Sequence, residues 1–416
     1  MAKAADWSLQ PTPDPVPQTK SQLEDISCPT TAMCMAIGND RYLGKGFVEV
    51  WKNSEWKIAK ALGGEVKAVS CPTATFCAVV AKNENGAWRL KAFEYLGGGW
   101  SVSTDVPAVP AGADNVSLRD ISCTAEAACT AVGLFQAETG EWKAHAERWD
   151  GTSWSPQIVP SPQGETALNG VSCTSATSCV AVGSVQVLES GSYRPRTQIA
   201  RWDGAAWSLD SAPDPAGATS SALRAVSCVS PTICMAIGTY SDNSSSRPFA
   251  MRLDGSSWSV HATAAPADAK GAVQLHSVAC TTATTCVAVG QYVSVAGSFN
   301  LPAQERTLVE RWDGAGWSVQ ASPNPAEEEF SALTGVSCSS ETVCTAVGKS
   351  RPAKAEEDIV TLGMRWAGEV WSLQPTPDPV PQTKSQLEDI SCPTTAMCMA
   401  IGNDRYLGKG FVEVWK

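Results

Sequence analysis

Apolar positions along this chain come in short runs that alternate or bunch over four to seven residues, and nothing at the helical period persists for three turns. One stretch shows the unit. "LNGVSC" (168–173) leads through the small polar "TSATS" into "CVAVGSV" (179–185). A segment of variable length follows, then "QIARWDGAAWSLD" (198–210), in which Asp-Gly separates two Trp-bearing apolar runs. This reads as four short strands, A, B, C and D, and the Asp-Gly pair predicts a two-residue type I′ hairpin between C and D, with positive φ at both central positions. Pro-rich pieces such as "SPNPAEEEFSA" (322–332) cannot continue a sheet and read as surface connections between units.

The cysteines set the period. They form eight C-x5-C pairs: Cys28 with Cys34, Cys71 with Cys77, Cys123 with Cys129, Cys173 with Cys179, Cys228 with Cys234, Cys280 with Cys286, Cys338 with Cys344 and Cys392 with Cys398, and none is left over. From Cys28 to Cys392 is 364 positions, an average of 52 per step over seven steps. A fixed period of this length indicates stacked supersecondary units. Each pair flanks the expected A–B turn, where a hairpin brings its strands close enough to bridge, so disulfides are expected, each contributing about 2–3 kcal/mol. Structural zinc and free thiols are the alternatives. Zinc favours shorter Cys spacings with His or Cys partners, and the chain has only His145, His261 and His276, so no metal site and no cofactor are expected.

Four-stranded antiparallel units at this period match an all-β fold, the β-propeller. Paired aromatics five apart mark strands C and D: Trp51 and Trp56, Tyr95 and Trp100, Trp149 and Trp154, Trp202 and Trp207, Trp312 and Trp317, Trp366 and Trp371, with Leu253 and Trp258 as the aliphatic departure. Trp415 has no partner after it and Trp7 none before it. Residues 7–52 recur unchanged as 371–416. The chain therefore carries a lone strand D near its start and strands A, B and C near its end, which together complete an eighth blade and leave no open edge. The alternative is seven blades with one spare partial blade, available for head-to-tail exchange into polymers. Residues 1–6 read as a cloning remnant and 7–416 as a single propeller domain of eight repeats.

The tandem VSC-x5-C-x-A-V-G … RWDG-x-x-WS units resemble the disulfide-containing propeller repeats of secreted bacterial proteins, over nearly the whole chain from Trp7 to Lys416. That resemblance implies a fold and no particular activity, since propellers serve as lectins, adhesins, scaffolds, lyases and hydrolases. "WDGTSW" partly resembles the Asp-box of sialidases, but the leading Ser and the spacing differ, and no catalytic residue is carried over.

Charge and composition narrow the functions. A net charge of −11 argues against nucleic acid, whose phosphates require a basic face. No run approaches the length of a membrane span. Sixteen paired cysteines point to a secreted or cell-surface protein. No G-x-S-x-G, H-E-x-x-H or phosphate loop is present, so no catalytic residues are assigned.

Two sets of residues are candidates for binding a glycan or protein ligand. The segments joining B to C vary from 12 residues (39–50) to 21 (291–311), and the longest present Tyr193, Arg194, Arg196, Tyr292, Phe299 and Asn300. The position four before each first cysteine is polar: Glu24, Lys67, Arg119, Asn169, Arg224, His276, Thr334 and Glu388. With strand A innermost, Lys67, Arg119, Arg224 and His276 would face an anionic sugar or carboxylate at a channel mouth; a hydrated channel wall is the plainer expectation. The function expected is non-enzymatic binding through the variable-loop face. The alternatives are a structural building block of a surface or fibre assembly and a polysaccharide-acting enzyme.

Overall fold

Every regular element among the described residues of the computed structural model is a β-strand. The structure describes all residues except 1–5, 14–19, 41, 83–87, 96–98, 103–105, 108–114, 243–245, 298–302, 326–327, 353–357, 378, 380–383, 405 and 407. The strands pair in the order A-B-C-D, antiparallel, eight times over, giving the eight blades of a β-propeller. Blade three is representative: Asn115–Ala125, Ala128–Gln136, Trp142–Trp149 and Trp154–Gln157. A single parallel bridge, Glu305 to Phe330, joins the sheets of blades six and seven.

The eighth blade is assembled from both ends of the sequence. Ser385–Thr394, Met397–Asp404 and Lys409–Trp415 supply A, B and C, and Trp7–Gln10 is strand D, with Trp7 opposite Trp415. The backbone of Asp6 extends this ladder to Lys416. The spare-blade arrangement is therefore not the one adopted. The chain divides into two compact units, Met1–Ala61 with Thr263–Lys416 and Leu62–Ala262, each holding four blades.

Local chemistry explains the repeat motif. All eight C-x5-C pairs are disulfides joining A to B, as the spacing predicts. Cys34, Cys77, Cys129, Cys179, Cys234, Cys286, Cys344 and Cys398 each bridge to the cysteine six positions earlier, with Cα atoms 4.0–4.1 Å apart. The serine before the first cysteine serves the next blade, where its hydroxyl accepts the N–H of that blade's first cysteine. Cys123 bonds Ser70 at 3.0 Å and Cys173 bonds Ser122 at 3.0 Å. Cys228 bonds Ser172, Cys392 bonds Ser337 and Cys28 bonds Ser391, each at 3.1 Å. Blade six has Ala279 at this position and lacks the hydroxyl. The arginine of "RW" lies over the strand-C Trp of the following blade: Arg148 over Trp202 (4.5 Å), Arg311 over Trp366 (5.5 Å) and Arg365 over Trp415 (3.6 Å). The Trp pairs of strands C and D are buried, with ring centroids 5.4 Å apart for Trp149 and Trp154 and 6.1 Å apart for Trp366 and Trp371.

The Asp-Gly turn differs from expectation. Trp149 pairs with Trp154, so residues 150–153 form a four-residue loop in which Gly151 (φ 97°) has positive φ and Asp150 does not. The Asp150 carboxylate accepts the N–H groups of Thr152 and Ser153, both at 2.8 Å. Asp203 and Asp313 cap their loops the same way. The Thr152 hydroxyl, with these two amides, holds the Asp150 pKa at about 2. The motif thus selects Asp for side-chain capping and Gly for its dihedral. Consecutive positive φ occurs instead at Asn53 and Ser54, between paired Lys52 and Glu55.

Trp7 and Trp371 are the same residue of the duplicated segment, and each is 5% exposed. Trp7→Ala is expected to destabilise the protein by as much as Trp371→Ala does, about 3–5 kcal/mol each, read from urea unfolding midpoints. A silent Trp7→Ala would mean that the eighth blade does not depend on its first-strand donor.

Candidate functional site

The polar position four before the first cysteine has a structural identity that its sequence does not reveal. In all eight blades the A–B register skips that residue. Leu118 pairs with Gly133 and Asp120 with Val132, leaving Arg119 as the extra residue of a β-bulge. The same shift isolates Glu24, Lys67, Asn169, Arg224, His276, Thr334 and Glu388. A bulge re-aims its side chain out of the regular alternation. It also explains the glycine of "AVG": a Cβ on Gly133 would lie 2.0 Å from the Ser117 carbonyl oxygen, and one on Gly183 1.9 Å from that of Ala167.

Three of these side chains bind strand A of the next blade, His276 and Thr334 in Met1–Ala61 with Thr263–Lys416 and Asn169 in Leu62–Ala262. His276 Nδ1 donates to Leu333 O at 2.9 Å, and Thr334 Oγ1 donates to Leu387 O at 2.8 Å. At the seam between the duplicated blades Asn403 spans the gap, accepting from Leu23 N (2.8 Å) and donating to Leu23 O (3.0 Å). There Asp389 also meets Asp25, its own duplicate, side chain to side chain, and burial pushes the Asp389 carboxyl up. In Leu62–Ala262, Arg119 donates to Asn169 Oδ1, and Asn169 Nδ2 donates to Leu223 O at 2.7 Å. Lys67, Arg119 and Arg224 are exposed.

The variable B–C segments are largely strand, not loop. In blade four, Ser178–Glu189 and Ser192–Trp202 run on as one long hairpin that turns at Ser190 and Gly191, both at positive φ. Arg196 is held by Glu189 (Nε to Oε1 3.0 Å) and by Ala218 O (2.8 Å), and Arg194 donates to Thr219 O. Both arginines tie the hairpin to the D-to-A linker. Tyr193 is 67% exposed opposite Leu188 at 60%. Phe299 and Asn300 lie outside the described residues.

Tyr292 stands in a groove of about 300 Å³ in blade six, lined by residues 265–268, Thr307 and 319–322. Its hydroxyl donates to Asp268 at 3.1 Å, and burial, then this carboxylate, push its pKa up. Blade three has a groove of about 410 Å³ lined by Phe135, Lys143, Ala144, residues 156–159 and Ser161. The two grooves are built from equivalent positions: Phe135 and Tyr292 two residues after the strand-B glycine, Ala144 and Thr307 five before the strand-C Trp, Gln157 and Gln320 three after the strand-D Trp. Ile158 is 90% exposed at the rim of the blade-three groove. The signal was present as "VGLF" and "VGQY", but only the sheet order brings these positions beside strand D.

A buried glutamate two before the strand-C Trp accompanies both grooves. Glu310 accepts Ala264 N at 2.9 Å, fixing the linker that forms one wall, and burial pushes its carboxyl up to about 8. Glu147 pairs with His145 Nε2 at 3.0 Å, and the Phe135 ring meets His145 edge-on at 5.7 Å. Among the described residues no group of three or more His, Cys, Asp or Glu side chains is arranged to hold a metal ion.

No protein-family model and no curated protein matches the sequence. Solved structures do match. The β-propeller domain of the Trilobed protease from Pyrococcus furiosus is 10% identical, over 86% of this chain and 100% of that one, with a TM-score of 0.50. A lectin from Burkholderia pseudomallei is 12% identical over 86% and 98%, with a TM-score of 0.51. A puromycin hydrolase is 10% identical over 92% of this chain and 58% of its own, with a TM-score of 0.51. At these identities the likeness establishes the β-propeller fold and nothing about activity.

Because Glu310 is protonated in the fold to about pH 8 and in the unfolded chain only to about 4.5, the folded state binds the extra proton between those values. Stability should therefore fall as pH rises through that window, by at most about 1.4 kcal/mol per pH unit. Glu310→Gln should remove this component, so urea midpoints of wild type and variant should diverge from pH 5 to pH 8 and run parallel above it. Parallel behaviour from pH 5 upward would show that Glu310 is already ionised.

Proposed function

We propose that the protein is a secreted or cell-surface, non-enzymatic β-propeller that binds glycans, with residues 7–416 working as one domain. The observation that carries this reading is the groove built twice from the same repeat positions, around Phe135 and Gln157 and around Tyr292 and Gln320. Each groove sets an aromatic ring beside an amide and a hydroxyl, Ser161 in one and Ser322 in the other. A pyranose ring needs this combination: its C–H face packs on the aromatic ring while its hydroxyls meet the polar groups. Weak sites of similar chemistry gain avidity from repetition on one scaffold.

Eight disulfides with no free cysteine among the described residues support an oxidising compartment. No helix among the described residues is long and apolar enough to cross a membrane. That a lectin shares the scaffold adds only that such a frame can carry sugar sites.

The test is a glycan array probed with the labelled protein. Wild type is expected to bind a set of neutral glycans. Phe135→Ala and Tyr292→Ala should each weaken that binding by about tenfold, and together abolish it. A blank array for wild type, or a double variant that binds as wild type does, overturns the reading.

A further inference from the structure

The bulges of the unit Leu62–Ala262 leave charge uncompensated. Lys67, Arg119 and Arg224 sit on three of its four A strands, Val66–Thr73, Asn115–Ala125 and Ser220–Ser230. All three are exposed, and none forms an ion pair among the described residues. The nearest carboxylate in sequence, Asp120, is engaged by backbone, accepting from Ile121 N and Val171 N at 2.8 Å each. Asn169, on the bulge of the remaining strand, links the set: it receives Arg119 and donates to Leu223, the residue before Arg224. The other unit offers no such set, because His276 and Thr334 are bonded to the neighbouring strand.

We propose that Lys67, Arg119 and Arg224 form a second binding site, distinct from the grooves, for an acidic saccharide carrying carboxylate or sulfate groups on successive residues. The cations stand on rigid sheet at bulges, so they are held without the entropy cost of ordering a loop. Asn169, itself bonded to Leu223 O, holds the Arg119 guanidinium in place. In a chain of net charge −11 this is a local reversal of sign that selects anions against the general field. The choice of a saccharide rests on the glycan-binding reading; the choice of an anion does not.

Titration calorimetry on the full chain tests it, with trigalacturonate, its methyl ester and a sulfated galactose trisaccharide as probes. At least one acidic trisaccharide is expected to bind, with the ester weaker by about tenfold or more, and added salt should weaken the acidic ligand alone. Lys67→Met with Arg224→Met should lower that affinity by about tenfold or more while leaving the urea midpoint in place, since neither side chain makes a hydrogen bond or ion pair among the described residues. Phe135→Ala with Tyr292→Ala should leave it unchanged, which separates this site from the grooves. The trisaccharide retained identifies carboxylate or sulfate as the recognised group. No binding of either acidic probe at about 1 mM, equal binding of acid and ester, or wild-type affinity in the variant lacking both Lys67 and Arg224 overturns the proposal.

Discussion

The seam between the A strands of consecutive blades is the constraint on which the rest depends. Strands A of consecutive blades within each unit lie side by side without a shared ladder, so backbone groups facing the seam must find side-chain partners or remain unpaired at a cost of about 1–3 kcal/mol each. The repeat meets this with two devices. A serine hydroxyl accepts the next blade's cysteine N–H, and a bulged residue donates to the next blade's leucine carbonyl, as Asn169 does to Leu223. The bulge brings strand A against strand B, and only glycine fits beneath it at Gly133 and Gly183. Disulfide, serine, bulge and glycine are thus parts of one solution to a polar seam.

That solution makes some positions free and others not. Where the bulged residue is Asn, Thr or His, its side chain is consumed in stitching. Where it is Lys67 or Arg224 the side chain is exposed and makes no hydrogen bond or ion pair among the described residues, and Arg119 reaches only the side chain of Asn169. The duplicated segment shows the limits of the device. Setting two copies of the same blade side by side places Asp25 against Asp389, a contact that unlike neighbours such as Asp120 and Gly170 avoid.

Away from the seam, the ends of strands B, C and D decide what the scaffold can hold. Strand B continues past its glycine by two residues in Met33–Asp40 and by six in Ser178–Glu189, and the position two after the glycine is aromatic in blades three, five and six, of which the first and last carry the grooves. The buried glutamates below tie linker or neighbouring side chain to the same place, as Glu310 does with Ala264. Recognition chemistry is therefore added at strand ends, where a change of residue leaves the seam and the Trp pairs intact.

How much of this was legible in the sequence depended on how local the interaction is. The period, the disulfide pairing and four strands per blade follow from short-range spacing, because a hairpin brings together residues close in the chain, and completion of the eighth blade by Trp7–Gln10 follows from the repeat count, which leaves Trp7 and Trp415 each lacking a partner in its own repeat. Arg194 and Arg196 looked like ligand contacts because their partners, Glu189 apart, lie in a linker about twenty residues on, which no pattern announces. The Asp-Gly pair misled because Asp150 acts through its side chain, whereas turn rules read backbone dihedrals. The bulge, the shared groove positions and the pairing of Asp25 with Asp389 were decided by tertiary structure alone. Each depends on the order of strands within a sheet, on the approach of strands from different blades or on a one-residue register shift, and alternation along a single strand carries no record of these.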